Sequence, residues 1–103
     1  MNIEQMRKEY RGKYIPVIRT ETGKFLEDVV KKLNPKRILE FGTAVGLSAI
    51  TMLKASMASL VTVEIDEGRA KEAKQNIKEA GFADRAEVVL SDALAYADRK
   101  SVV

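Results

Sequence analysis

The sequence predicts an α/β fold in which helices flank a parallel sheet. Three short apolar or β-branched runs alternate with segments that carry an apolar stripe at helical spacing. Alternation at these lengths is typical of right-handed crossovers between parallel strands. A glycine-rich turn after the first run is the second observation, because such turns join a strand to a helix in doubly wound sheets. We therefore expect half of a doubly wound sheet, with three parallel strands in the order 3-2-1.

Size and composition indicate one small domain. The chain has 103 residues, and 46% of them are hydrophobic, which suits a single modest core. It has no cysteine and no histidine, which excludes a disulfide framework, a thiolate metal site and the commonest general base. The net charge is only +3, and its scattered basic residues favour solvated faces over a nucleic-acid patch. No signal peptide or long apolar span is evident, so we expect a cytoplasmic protein without a membrane partner.

The first third of the chain is predicted to lead through a helix into the first strand. Residues 15–18 read as extended, because a residue that precedes proline avoids the helical conformation. Asn34 and Pro35 end the helix that follows, and residues 38–41 form the first strand. The helix carries one apolar face at helical spacing, made of Phe25, Leu26, Val29, Val30 and Leu33.

The remainder of the chain alternates helices with two more strands. Residues 60–65 are β-branched and form the second strand, after which Asp66 caps a helix that Gly81 ends. Residues 86–90 form the third strand, and residues 93–97 begin another helix. The helix after the glycine turn has an apolar stripe of Leu47, Ile50, Leu53 and Met57, and the next helix has a buried face of Ala70, Ala73, Ile77 and Ala80.

These elements divide the chain into three segments. Residues 1–14 are an N-terminal extension, residues 15–97 a partial domain, and residues 98–103 an irregular tail. In a doubly wound sheet the first strand is central, so its outer edge should pair with a fourth strand. The sequence offers no fourth strand, which predicts homo-oligomerisation or pairing of this edge with another chain.

The turn that follows the first strand is the first candidate site. A dinucleotide-binding loop needs glycine at three positions, but Ala44 and Leu47 occupy the second and third, which disfavours a pyrophosphate ligand. No Gly-Lys-Ser/Thr follows, so the turn is not a phosphate P-loop. Backbone N–H groups at a helix N-terminus suit a carboxylate, and Ser48 could add a hydroxyl donor. The alternative is a tight strand–helix turn without a ligand.

Three acids at strand ends are the other candidates. Glu64 ends the second strand about twenty residues after the glycine turn, where an acid accepts hydrogen bonds from ribose hydroxyls. Asp92 follows the third strand and either reads an adenine edge or caps the next helix. Glu40, on the first strand, either bonds the loop amides or a ligand ammonium or has a structural role. Each of these alternatives is open from the sequence.

Taken together, these residues resemble a class I S-adenosylmethionine-dependent methyltransferase. The resemblance is closer to the cation-dependent O-methyltransferases that include catechol and caffeoyl-CoA methyltransferases, and closest to a bacterial branch that methylates 5-hydroxyuridine in tRNA. It covers residues 15–95 in four pieces, namely residues 15–26, 37–50, 61–66 and 90–93. The most specific piece is Glu-x-Gly-Thr-x-x-Gly-x-Ser, which begins at Glu40.

The resemblance implies an S-adenosylmethionine site. Glu40 and the loop would hold the methionine end, with Ser48 on its carboxylate, while Glu64 would hold the ribose. Ile65 would pack beside the adenine, and Ile18 would touch the cofactor from the N-terminal side. The implied cofactor-binding residues are Ile18, Glu40, Gly42, Thr43, Ala44, Gly46, Ser48, Glu64, Ile65, Asp92 and Ala93.

The sequence departs from the family at the metal site. The family binds a divalent metal, expected to be Mg²⁺, through an acid after the fourth strand and an Asp-Asn pair, and this sequence has no matching segment. We therefore assign no metal ligand and no catalytic residue, and expect a truncated or frame-shifted N-terminal half that is inactive alone. The parent enzyme would methylate a hydroxyl, preferably tRNA 5-hydroxyuridine or else a catechol-like phenol. The alternatives are a non-catalytic fragment that binds an adenosyl ligand or completes a sheet, and, less favoured, half of an NAD-type dehydrogenase.

Overall fold

A computed structural model shows one sheet of three parallel strands with the predicted order. The structure describes residues 20–100, and the side-chain surroundings of residues 22–96; the predicted extension and Ile18 lie outside this part of the chain. β1 pairs with β2, and β2 with β3, so that Leu39 lies beside Val61 and Val63 beside Val89. The elements are α1 (Thr20–Leu33), β1 (Arg37–Phe41), α2 (Leu47–Lys54), β2 (Ser59–Glu64), α3 (Glu67–Glu79), β3 (Ala86–Leu90) and α4 (Ala93–Lys100).

The core lies on one face of the sheet, around α2. Leu60 of β2 is 1% exposed, and Ile38 of β1 and Val88 of β3 pack against the same cluster. Side chains alternate between the two faces of a strand, so these positions define the covered face. Nearly every residue of α2 is buried, which makes it the central helix of the fold. The buried cluster comprises Val30, Val45, Leu47, Ala49, Ile50, Met52, Leu53, Leu60 and Ile77.

The predicted apolar face of α1 is only partly buried. Val30 is 5% exposed, but Phe25 and Leu33, which the helical spacing assigns to the same face, are 69% and 71% exposed. The residues of α1 that reach the cluster are Val30 and Leu26. Amphipathic spacing identifies which side chains share a face, whereas the packing partner decides how much of that face is covered.

The prediction that Met57 belongs to the helical stripe of α2 is wrong. The helix ends at Lys54, with Ala55 as its C-terminal cap, and Met57 is 85% exposed. Ser56 terminates the helix locally, because its hydroxyl donates to the carbonyl of Met52 (2.9 Å) and accepts from the N–H of Ala58 (3.2 Å). Such side-chain bonds to nearby backbone compete with helix continuation.

The last helix is longer than the sequence predicts. α4 runs to Lys100, so residues 98–100 of the predicted irregular tail are helical. Asp92 supplies the start signal, because its carboxylate accepts from the N–H groups of Leu94 and Ala95. Alanine, leucine, arginine and lysine, which make up much of this segment, are strong helix formers. No helix in the described part of the chain is both long and apolar enough to cross a membrane.

Candidate functional site

The carboxyl ends of the three strands bring most of the predicted site residues to one edge of the sheet. The N–H of Gly42, after β1, donates to the carbonyl of Val63 in β2 (2.7 Å). The N–H of Ser91, after β3, donates to the carbonyl of Glu64 (3.0 Å). The glycine loop, Glu64 and the Ser91 turn are therefore neighbours at the edge where α/β sheets bind their ligands.

The loop between β1 and α2 turns through left-handed backbone conformations. The φ angles are 82° at Gly42, 52° at Ala44 and 92° at Gly46. A left-handed conformation is unfavourable by about 1–2 kcal/mol for a residue with a Cβ, so Ala44 must be held by its surroundings. A Cβ on Gly46 would lie 3.3 Å from the backbone of Ala73. The loop thus needs glycine where α2 begins against α3.

Glu64 fastens this loop to the end of β2. Its side chain is buried, with 6% of the residue exposed. One carboxylate oxygen accepts from the N–H of Ala44 (2.8 Å), and the other from the N–H of Asp66 (3.0 Å). A buried carboxylate needs such donors, and a carboxylate offers about four lone-pair sites. Each oxygen therefore keeps capacity for one further donor, such as a hydroxyl of a ligand.

The carboxylate of Glu40 accepts hydrogen bonds from two hydroxyls of the chain. It lies beside Thr62 in the strand register, and the Thr62 hydroxyl donates to one of its oxygens (2.6 Å). The Ser48 hydroxyl donates to the other oxygen. The predicted bond from Glu40 to the loop amides is absent among the described contacts, since the N–H of Ala44 goes to Glu64 instead. Ser48 has one hydrogen to donate, so it would have to leave Glu40 to serve a ligand carboxylate.

Thr43 carries a hydroxyl that lacks a partner within the described residues. The residue is 2% exposed, and its Oγ1 has no hydrogen bond there. A buried polar group without a partner is unfavourable by about 1–3 kcal/mol. A polar ligand group in the loop would supply the missing hydrogen-bond partner. The unpartnered Thr43 hydroxyl therefore favours a bound ligand over a turn without one.

At the lip of the site, Asp92 has the capping role that the sequence left open, and its contact with an adenine edge stays a prediction. Its Oδ1 accepts from the N–H groups of Leu94 (2.7 Å) and Ala95 (3.2 Å), so it is the cap of α4. Ala93 is the exposed first residue of that helix. Ile65 is 68% exposed at the neighbouring strand end and presents an apolar surface to which a flat ring could bind.

Asn76 is a residue of this site that the sequence analysis missed. It is 5% exposed on α3, and its amide nitrogen donates to the carbonyl of Val45 in the glycine loop (2.9 Å). The signal was available, because Asn76 is a polar residue beside Ile77 on a helix whose inner face is otherwise alanine and isoleucine. A buried amide needs hydrogen-bond partners, and here the partner is the loop.

The divalent metal implied by the resemblance finds no matching site among the described residues. Nowhere in that part of the chain do three or more acids come together to hold a metal ion. Glu40 and Glu64, the acids at the strand ends, accept hydrogen bonds from the chain itself.

Comparisons with known proteins identify the family. Residues 2–101 match the profile of a family described as O-methyltransferase. Catechol O-methyltransferase of Mycobacterium tuberculosis is 35% identical over 79 residues, which cover 75% of this chain and 36% of that protein. A tRNA1(Val) (adenine(37)-N6)-methyltransferase of Bacteroides thetaiotaomicron is 44% identical over 62 residues, which cover 58% of this chain and 26% of that protein.

A solved structure agrees with the sequence comparisons. The O-methyltransferase from Bacillus cereus, in complex with SAH, superposes with a TM-score of 0.85 and 30% identity over 96% of this chain and 47% of that one. This chain spans less than half the length of each of the three proteins. The match over residues 2–101 and the shared fold confirm the predicted resemblance. The chain belongs to the O-methyltransferase family, within the class I S-adenosylmethionine-dependent methyltransferases.

Proposed function

We propose that the chain binds S-adenosylmethionine at the carboxyl edge of its sheet and is the cofactor-binding part of an enzyme that methylates a hydroxyl. The observation that carries the proposal is Glu64, a buried acid fastened to the glycine loop with lone pairs to spare. The unpartnered hydroxyl of Thr43 in the same loop supports it, as does the Bacillus cereus structure in complex with SAH.

In this proposal each part of the cofactor meets groups that suit it chemically. The ribose hydroxyls donate to the remaining lone pairs of Glu64. The methionine carboxylate lies at the N-terminus of α2, whose helix dipole attracts a negative charge. That helix has no side-chain cap, and Ile65 offers its exposed apolar surface to the adenine. The bound cofactor supplies a sulfonium methyl group, and the protein contributes position and orientation.

For the acceptor we propose a hydroxyuridine of tRNA, with a catechol-like phenol as the second possibility. Relatives that match this chain include a tRNA adenine-N6-methyltransferase, whose substrate is tRNA but not a hydroxyuridine, and a catechol O-methyltransferase. A tRNA acceptor would place the protein in the cytoplasm. The two acceptors differ chemically in phosphate content, so a measurement of oligonucleotide binding distinguishes them.

The cofactor proposal is tested by calorimetric titration with S-adenosylhomocysteine. We expect the wild-type chain to bind, and Glu64→Gln to bind about 10–100-fold more weakly, because hydrogen bonds to a charged group contribute about 1.5–3 kcal/mol. Glu67→Gln is the matched control, since it makes the same chemical change at an exposed acid three residues away. It should bind like the wild type.

A modified ligand tests the ribose assignment separately. The 2′-deoxy analogue should bind the wild type more weakly than S-adenosylhomocysteine does. Glu64→Gln should bind both ligands with equal affinity, because the contact between Glu64 and the 2′-hydroxyl is already lost in this variant. No binding by the wild type at millimolar ligand, or equal losses in Glu64→Gln and Glu67→Gln, would refute the proposal.

A second candidate function is a module that completes its sheet with another polypeptide. Within the described residues β1 pairs with β2 alone, and Leu39 and Phe41, on the face opposite the core, are 53% and 48% exposed. An unpaired strand edge beside apolar surface is a template for pairing. Size-exclusion chromatography checks this, since we expect a dimer that Leu39→Lys dissociates. A monomer at all concentrations would exclude self-pairing.

A further inference from the structure

We propose that a cavity between α3 and β3 binds the phosphate groups of an RNA strand. The cavity has a volume of about 510 Å³ and lies away from the glycine loop. Three lysines of α3 line it, namely Lys71, Lys74 and Lys78, and Ile77, Ala86 and Val88 give it an apolar floor. Ligand cavities commonly have volumes of about 300–1,000 Å³, and this cavity lies within that range.

Three lysines of α3 lie on one face of the helix, which Glu67 of the first turn shares without lining the cavity. Residues three and four apart lie on one helical face, so Lys71, Lys74 and Lys78 form a single row. Glu72 and Glu79 each follow a member of that row directly in sequence, which turns them about 100° away from it. The apparently scattered basic residues of the sequence therefore include one concentrated row, which only the folded helix brings to a cavity.

The lysines of this row have no acidic partner within the described part of the chain. None of the three makes an ion pair within residues 22–96, and Lys74 and Lys78 are one helical turn apart, where like charges repel. Lys31 of α1 differs, because it lies 2.7 Å from Glu27 and lowers the pKa of that carboxyl through a hydrogen bond. Among the described residues, the α3 row thus presents positive charge that is available to an external anion.

The shape of the row indicates a strand of phosphates. Lys71 and Lys78 are seven residues apart, about 10 Å along the helix axis at 1.5 Å per residue. That length exceeds one phosphate group, and lysines bind phosphates as point charges. Glu87 is the acid of the lining, so the charge of the lining is three lysines minus one glutamate, or +2. The row begins in the second turn of α3 and leads away from Glu64.

The assignment to RNA rests on the tRNA acceptor proposed above, whereas the affinity for phosphate rests on the cavity alone. The same phosphate chemistry could come from a free nucleotide. The experiment therefore compares a strand with a single nucleotide, and measures cofactor binding separately.

The test uses fluorescence anisotropy of a labelled ten-nucleotide oligouridylate with the full 103-residue chain, over a range of salt concentrations. The variant is Lys71→Ala/Lys74→Ala/Lys78→Ala. The control is Lys32→Ala/Lys36→Ala/Lys54→Ala, which replaces three exposed lysines outside the cavity. Both variants change the net charge from +3 to zero, so they differ only in where the charge is lost. Circular dichroism checks that each variant is folded.

We expect the cavity variant to lose at least tenfold in affinity at low salt. Its slope of log affinity against log salt should fall by about 2, since each single-strand phosphate contact contributes about 0.7 to the slope. The control should keep most of the affinity and slope. Equal losses in both variants, or no wild-type binding at about 50 mM salt, overturn the proposal. Uridine monophosphate that competes as well as the decamer overturns the strand assignment.

Failure of this proposal can be distinguished from failure of the cofactor proposal. The cavity variant should bind S-adenosylhomocysteine like the wild type, and Glu64→Gln should bind the oligouridylate like the wild type. RNA binding that depends on the α3 row in a chain that binds no S-adenosylhomocysteine would support the cavity and refute the cofactor site. Loss of both activities in the cavity variant would overturn a separate RNA site.

Discussion

At the scale of single residues, Gly42 and Gly46 share a backbone conformation but not an environment. Their φ angles are 82° and 92°. A Cβ on Gly42 would meet nothing within 4 Å, whereas one on Gly46 would lie 3.3 Å from the Cα and the carbonyl oxygen of Ala73. The two positions therefore separate the effect of the backbone angle from the effect of helix packing.

We expect Gly42→Ala to lower the free energy of unfolding by about 1–2 kcal/mol, the penalty of a left-handed conformation. Gly46→Ala should lower it by at least about 1 kcal/mol more, because backbone atoms of α3 must also move. Urea unfolding of the two variants measures the difference, with each serving as the control for the other. Equal losses would contradict the close approach of α2 and α3 at Gly46.

At the scale of elements, α3 supports the glycine loop through a contact that runs from helix to loop. Asn76 is buried and donates to Val45, 31 residues earlier in the chain. The carbonyl that it serves belongs to the same loop as Ala44 and Thr43. Two side chains therefore hold the loop, Glu64 from the sheet and Asn76 from the helix, in addition to the backbone bond from Gly42 to Val63.

We expect Asn76→Ala to lower the free energy of unfolding by about 1–3 kcal/mol, because a buried carbonyl loses its donor. It should also weaken binding of S-adenosylhomocysteine, since the loop loses one of the two side chains that hold it. Gln75→Ala is the control, because Gln75 is exposed and contacts Glu79 instead. Lower stability with unchanged ligand affinity would show that Asn76 supports the fold without positioning the loop.

At the scale of the whole molecule, Arg85 joins the end of α2 to the start of β3, at the amino ends of the strands. Its guanidinium donates to the carbonyls of Leu53 (2.9 Å), Ser56 (3.1 Å) and Ala58 (3.0 Å). It also lies 5.0 Å from the ring centroid of Phe82. One side chain thus satisfies the carbonyl end of the central helix and links it to the sheet edge opposite the candidate site.

We expect Arg85→Lys to lower the free energy of unfolding by about 2 kcal/mol, because a lysine cannot reproduce the planar fork that reaches three carbonyls. The affinity for S-adenosylhomocysteine should not change, since the site lies at the other end of the strands. Thermal unfolding and ligand titration of the same samples give both values. Arg37→Lys, at an exposed position of β1, is the control, and an equal loss there would contradict the role of Arg85.

Local patterns were sufficient to predict the elements and their order. The β-branched run of β2 and the glycine after α3 influence the backbone conformation of only a few neighbouring residues. Their effects can therefore be inferred from the local sequence. The structure confirms the parallel sheet and its order, with β3 at the predicted residues 86–90. Gly81 has a φ of 89° at the end of α3, which confirms the predicted helix stop.

The sequence by itself determined the class of fold, the glycine loop and the acids at the strand ends, because short-range spacing and backbone preference encode them. Only the tertiary structure decided which groups these residues meet. The strand register places Thr62 beside Glu40, and the conformation of the turn lets the N–H of Ala44 donate to Glu64. Likewise, the packing of α3 against β3 forms the lysine-lined cavity. Such contacts join residues about 20 to 30 positions apart, and their partners follow from packing, which sequence periodicity does not specify.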